Sequence, residues 1–149
     1  QQAWFREDVK KTDKTWKIVL MHKDPLQYRI TNRPDRKEGF SDEGRAWMPL
    51  FDKAGIDIVF SAHLHTYRNR GHIYNEQPDR RGPVYLMFGP AGNERYTVPP
   101  DTTFDKVSLD QSDPNRYRNY MTLAVTPAKL IATCFLEDGS TVDRVTLTK

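Results

Sequence analysis

The 149 residues are enough for one domain and too few for two, and 37% hydrophobic against 29% charged predicts a thin core or long loops. Lysine and arginine number 23 against 20 acidic residues, and a net charge of +3 is too small to predict binding to nucleic acid or adhesion to a membrane surface. The single cysteine, Cys134, leaves no internal disulfide, and no apolar run approaches the roughly 20 residues that span a bilayer.

Gln1-Gln2-Ala3-Trp4 opens without Met, without a basic region and without an apolar stretch, which predicts a chain excerpted from a longer one. Trp4, Phe5 and Val9 share one stripe of a short helix ending near Thr12-Asp13. The run from Trp16 to Met21 predicts a strand buried on both faces, which stops at His22 before Pro25. Residues 23–39 read as a basic loop. Ser41 is the expected cap of a second helix carrying Ala46, Trp47, Leu50, Phe51 and Ala54 on its apolar face, with Gly55 at its C-terminal end. Pro49 predicts a kink or a later start. Ile56 to Phe60 is a second buried strand, running into Ser61-Ala62-His63-Leu64-His65.

Strand, helix, strand, each strand ending in histidine, is βαβ logic with polar groups at the strand C-termini. Short strands follow at 71–74, 83–88, 120–126, 129–136 and 141–147, the last three joined by Thr126-Pro127-Ala128 and Glu137-Asp138-Gly139-Ser140 as antiparallel hairpin turns. Residues 89–118 form a long polar segment, expected to be a functional or covering loop or to be partly disordered. No internal repeat is visible.

Three of the four histidines, His22, His63 and His65, stand at the ends of the two apolar strands. Neutral imidazoles converging from neighbouring strand ends are one way to build a transition-metal or zinc site. His72 reads as a strand or surface histidine. Arg68, Arg70, Arg80 and Arg81, interspersed with Glu76 and Asp79, read as a mixed-charge solvated loop, and Asn93 as a turn former. Trp4, Trp16, Trp47, Phe51 and Phe60 are expected in the core, with Cys134 a small buried hydrophobe.

The strings around the histidines resemble a known family. Ile56-Asp57-Ile58-Val59-Phe60-Ser61-Ala62-His63-Leu64-His65-Thr66-Tyr67-Arg68-Asn69-Arg70 resembles the G-H-x-H block of calcineurin-like metallophosphoesterases, and most of all their purple-acid-phosphatase-like branch. The run from Trp16 to Pro25 resembles the strand before it, which ends in a metal histidine. Gln2-Ala3-Trp4-Phe5 is similar to the family's Q-x-x-W-L helix. Gly82-Pro83-Val84-Tyr85-Leu86 with Gly89-Pro90-Ala91-Gly92-Asn93 resembles the following G-P-V-Y-L and G-x-x-G block, and residues 138–143 resemble the closing hairpin.

The resemblance implies an α/β fold: the C-terminal half of a two-sheet αββα sandwich, a mixed sheet with C-terminal antiparallel hairpins, residues 1–149 forming one partial domain. It implies that His22 and His63 bind one metal of a pair and His65 the other, the metals being divalent or trivalent iron, zinc or manganese. Tyr67 and Arg68 would line the substrate cleft. The implied reaction is hydrolysis of a phosphomonoester or phosphodiester by a metal-bound hydroxide. Asp24 and backbone near Ser61 are candidates to orient the histidines. Export of many relatives points weakly to a secreted or periplasmic location.

The chain departs from the family at two positions. Ala62 replaces the usual glycine before the first histidine, at a cost of about 1 kcal/mol if that residue needs positive φ. No histidine lies between Lys23 and Ala62 to serve as the branch's proton donor. The D-x-H, G-D-x-x-D and G-N-H blocks that supply bridging carboxylate, aspartate and asparagine ligands are also absent from residues 1–149. Three neutral imidazoles do not offset the repulsion of paired dications. The isolated chain is therefore expected to be inactive, with the N-terminal half of the same protein as its partner or self-association in its place. The alternative is a non-catalytic binding or assembly domain on the same fold.

Overall fold

A cap at each end defines the second helix. Ser41 Oγ accepts the Gly44 N–H at 3.0 Å, and Gly55 takes the left-handed conformation, φ 63°, that closes the C-terminus. These observations come from a computed structural model that describes residues 1–27, 39–92, 94–96, 103–110 and 112–149. In chain order the elements are α1 (Gln2–Lys11), β1 (Ile18–Leu20), β2 (Leu26–Gln27), β3 (Gly39–Phe40), α2 (Asp42–Ala54), β4 (Ile58–Ser61), β5 (Arg68–Tyr74), β6 (Gln77–Pro78), β7 (Val84–Met87), β8 (Val107–Ser108), β9 (Asn119–Val125), β10 (Lys129–Leu136) and β11 (Thr141–Thr148). Helix α2 runs unbroken through Pro49. Pro49 and Arg45, whose carbonyl loses its N–H partner to the proline ring, both face solvent, so water replaces the missing bond.

Strands β1, β4 and β7 are parallel, in the order β1-β4-β7-β5-β6, with β5 antiparallel to β7 and β8 added on β5. The last three strands form a separate antiparallel sheet, β11-β10-β9, and β2 pairs β3. The result is the expected mixed α/β architecture.

Alternation along β4 explains its unbroken apolar run. Val59 points to the helices and packs with Phe5, Met48, Phe51 and Tyr85. Ile58 and Phe60 point to the other face and meet Leu130 and Ala132 of β10. Fully burying such a side chain contributes about 1.5–3 kcal/mol. A strand covered on both faces needs apolar residues at every position.

Strand β1 corrects the expectation of a strand buried on both faces. Among the described residues its one strand neighbour is β4, and Leu20 is 76% exposed. Ile18 and Leu20 share the face of Ile58 and Phe60, yet β10 and β9 do not reach over them. On the opposite sheet Leu123 and Val125, paired with Ala132 and Leu130, are also exposed. The sandwich therefore stands open along one side, with β1 and β9 as its two lips. Trp4, expected in the core, is 69% exposed on the same side, whereas Phe51 and Phe60 are buried as expected. The long polar segment contributes β8 and, at Phe104, a ring in the helix-side core, so part of it covers the fold.

Candidate functional site

Register brings the histidines together. Ile18 pairs Ile58 and Leu20 pairs Phe60, and two further backbone bonds extend the ladder past the strands: Met21 N–H to Phe60 O (3.0 Å) and Ala62 N–H to His22 O (3.2 Å). His22 and His63 thus leave neighbouring parallel strands side by side, at the carboxyl ends where such sheets place their sites. His22 Nε2 lies 3.1 Å from His63 Nδ1, the rings crossing edge to face with centroids 5.1 Å apart.

His65 turns to another neighbourhood. Its Nδ1 donates to the Glu94 carbonyl at 2.7 Å, so that in the neutral ring Nε2 is the nitrogen with a lone pair to offer. Tyr96 stacks on the ring at 4.2 Å and 10°. Neither partner is among those expected. Both come from the segment after β7, and sequence separation hid them.

The backbone carries strain here. His63 and His65 have φ of 73° and 47°, left-handed values that cost a non-glycine residue about 1–2 kcal/mol. Leu64 between them is buried, as a small side cluster with Met87. Ala62 is not among the positive-φ residues, so the cost expected for alanine at that position does not arise. Burial lowers the pKa of His63 below the ordinary histidine value, and the charges of Lys23, His22 and His65 push the same way. The neutral form, the one that ligates metals, is favoured.

The donor set fits a borderline cation. Two nitrogens 3.1 Å apart match a pair of imidazoles sharing one ion at bond lengths of about 2.0–2.1 Å. Among the described residues no group of three or more His, Cys, Asp or Glu side chains converges to hold an ion unaided. His22 and His63 form a pair, and His65 stands apart from them.

The other expected residues point inward. Tyr67 and Arg68, expected at a substrate cleft, are each 1% exposed. The Tyr67 hydroxyl donates to Asp143 Oδ2 at 2.7 Å, and Asn69 Nδ2 donates to the same oxygen at 2.8 Å. Burial, reinforced by Asp143, holds the Tyr67 phenol well above the usual tyrosine range. Arg68 pairs with Asp105 at 3.0 Å. The solvated loop expected of the four arginines is found at Arg81, paired with Asp79 in solvent, while Arg68 and Arg70 are buried in β5. Their spacing of two residues was the available signal, because alternate positions of a strand share a face.

The Asp24 carboxylate bonds Arg70 and Ser61 rather than a histidine ring. Arg70 grips the carboxylate through two parallel bonds, Nη1 to Oδ1 at 2.8 Å and Nη2 to Oδ2 at 2.6 Å. His72 is a strand histidine as expected, its Nδ1 2.7 Å from Gly82 O. Asn93 lies outside the described residues.

Residues 1–67 match the family model of the calcineurin-like phosphoesterases. Purple acid phosphatase 18 of Arabidopsis thaliana is 36% identical over 97 residues, covering 62% of this chain and 21% of that protein. Purple acid phosphatase 23 of the same plant is 31% identical over 116 residues, 76% of this chain and 22% of the relative. A phosphoenolpyruvate phosphatase of Allium cepa is 32% identical over 108 residues, 63% of this chain and 22% of the relative. The chain therefore spans about a fifth of the length of these curated relatives. The structure of the purple acid phosphatase PPD1 from yellow lupin (Lupinus luteus) superposes with a TM-score of 0.75 at 17% identity, over 99% of this chain and 28% of that one. At that identity the likeness shows the fold.

Proposed function

We propose that the chain is a purple-acid-phosphatase-like region of a calcineurin-like metallophosphoesterase and that it supplies the histidine side of a two-metal centre hydrolysing phosphate esters. The observation that carries this reading is the pair of ring nitrogens, His22 Nε2 and His63 Nδ1, 3.1 Å apart at the ends of adjacent parallel strands. His22 and His63 would hold one metal and His65, through Nε2, the other. The metals are iron, zinc or manganese. Metals held there would supply Lewis-acid polarisation of a phosphoryl oxygen and a lowered pKa for water at ordinary pH.

The chain's own residues prepare that chemistry. Glu94 O fixes the tautomer of His65, and Tyr96 fixes its ring plane. Lys23 Nζ, 3.4 Å from His63 Nε2, puts positive charge beside the site, which draws in an anionic ester. Tyr67 and Arg68 act from beneath, anchoring the turn that carries His63 and His65 to β11 and to the segment of Asp105.

The anionic ligands belong to the remainder of the protein, for which this chain is the C-terminal half of the catalytic domain. The open side of the sandwich supports that division. Ile18 and Leu20 on one lip and Leu123 and Val125 on the other are apolar, face each other's sheets and are uncovered. Continuation of both sheets by the N-terminal half would bury them. In its absence a second copy of the chain would do so.

The test is metal analysis and p-nitrophenyl phosphate turnover of the full-length protein. Two metals per chain with turnover is expected, turnover falling to background in His22→Ala, His63→Ala and His65→Ala and absent from the isolated chain. Stoichiometric metal without turnover on mono- or diester would overturn the enzymatic reading in favour of a binding or assembly domain.

A further inference from the structure

Asp24 lies two residues after His22, and Ser61 lies two residues before His63. The two are joined in the interior. Ser61 Oγ donates to Asp24 Oδ1 at 3.1 Å, and Arg70 of β5 clamps both carboxylate oxygens. Asp24, Ser61 and Arg70 are 6%, 4% and 2% exposed. Arg70 is steadied in turn by Asp105, whose Oδ1 is 3.5 Å from its Nε. Among the described residues the backbone ladder between the two histidine-bearing segments ends at Ala62 N–H to His22 O, and beyond that rung the ties between the His22 loop and the end of β4 are made by side chains.

Stability does not account for this cluster. A buried ion pair is commonly no better than apolar residues of the same volume, because desolvation offsets the attraction. What the cluster does supply is direction. A bidentate guanidinium–carboxylate pair admits one geometry, and Ser61 refers that geometry to the strand end that carries His63.

We propose that Asp24 is a positioning residue: through Arg70 and Ser61 it locks the His22 loop onto the end of β4 and so sets the 3.1 Å spacing of His22 Nε2 and His63 Nδ1. The functional importance of that spacing rests on the reading of His22 and His63 as ligands of one metal. A site of this kind tolerates about 0.5 Å of misplacement, so loosening the loop weakens metal binding with no ligand removed.

The test uses the full-length protein with 15N-labelled histidine. In the metal-free wild type the two facing nitrogens, 3.1 Å apart, are expected to share one proton, the imidazole 15N shifts then reporting one donor and one acceptor. The double variant Asp24→Asn/Arg70→Gln removes both charges and keeps hydrogen-bonding groups, so neither ion is stranded. It is expected to stay folded, to lose the shared-proton signature and to bind Zn2+ about 10–100-fold more weakly. Ser61→Ala, a smaller change, is expected to move the same way by a smaller factor, and Ser61→Thr to restore the wild-type spectrum. If the double variant does not fold, Ser61→Ala and its threonine rescue decide the matter. A folded variant with unchanged imidazole shifts and Zn2+ affinity overturns the proposal. A wild type that shows the shared proton and binds no Zn2+ overturns the metal reading instead, while loss of the signature in the variants still supports the positioning role.

Discussion

Gly44 sits in the first turn of α2, where exchange of glycine for alanine ordinarily stabilises a helix by about 0.5–1 kcal/mol. Here the sign reverses. A Cβ on Gly44 would lie 2.0 Å from the Pro25 carbonyl oxygen, whereas real Cβ contacts are not found below 3.0 Å, so Pro25 must retreat by about 1.0 Å. That oxygen accepts the Ser41 N–H and lies within reach of the Ser41 hydroxyl, each at 3.0 Å. A retreat of this size breaks both contacts, at about 1 kcal/mol each. Overpacking adds about 1–3 kcal/mol, against about 1 kcal/mol recovered in helix propensity. Gly44→Ala is therefore expected to lower stability by about 2–4 kcal/mol, and the melting temperature by roughly 5–15 °C for a chain of this size. Urea unfolding followed by circular dichroism measures it. Gly92→Ala, where an added Cβ meets nothing within 4 Å, is the control, expected within about 0.5 kcal/mol of wild type. A Gly44→Ala chain as stable as wild type would refute the argument. Pro25 closes the loop that begins at His22, so the same variant should also weaken Zn2+ binding.

Two further predictions concern the site and the open side. Burial lowers the folded pKa of His63 below its unfolded value near 6.5, so in the window just below that value the unfolded chain binds more protons, and stability rises with pH. Stability should fall on acidification from pH 7 through this window, and His63→Gln should flatten the slope; an unchanged slope in unfolding curves at pH 5 to 7 would contradict the assignment. Leu20 is 76% exposed on the lip of the sandwich, so Leu20→Glu should leave the melting temperature within about 0.5 kcal/mol of equivalent stability while shifting any oligomer toward monomer. Sedimentation equilibrium reads this out, and an unaltered distribution would show that self-association uses another surface.

Local pattern made much of this molecule legible in its residues. The cap at Ser41, the left-handed close at Gly55, the apolar run at 56–60, whose strand runs Ile58–Ser61, and the hairpin turns at 126–128 and 137–140 each depend on neighbours within a few positions, and each was found at or within two residues of the expected place. The histidines at the ends of two such runs were visible for the same reason. Trp4 and β1 were misread because an apolar residue states a preference for burial without saying what is there to bury it.

Arg68 and Arg70 were misread in the opposite sense. Charged residues predict solvent unless a partner is known, and their partners, Asp105 and Asp24, lie 37 and 46 positions away. By itself the sequence determined the order of the elements and the identity of the residues that can ligate a cation, because both follow from side-chain type and short-range spacing. The tertiary structure alone decided that β1 is an edge, that His22 faces His63 while His65 turns to Glu94 and Tyr96, and that Asp24 serves Arg70. Those outcomes depend on register and on which layers stack. These are set by contacts between residues far apart in the chain, whose energies no local window contains.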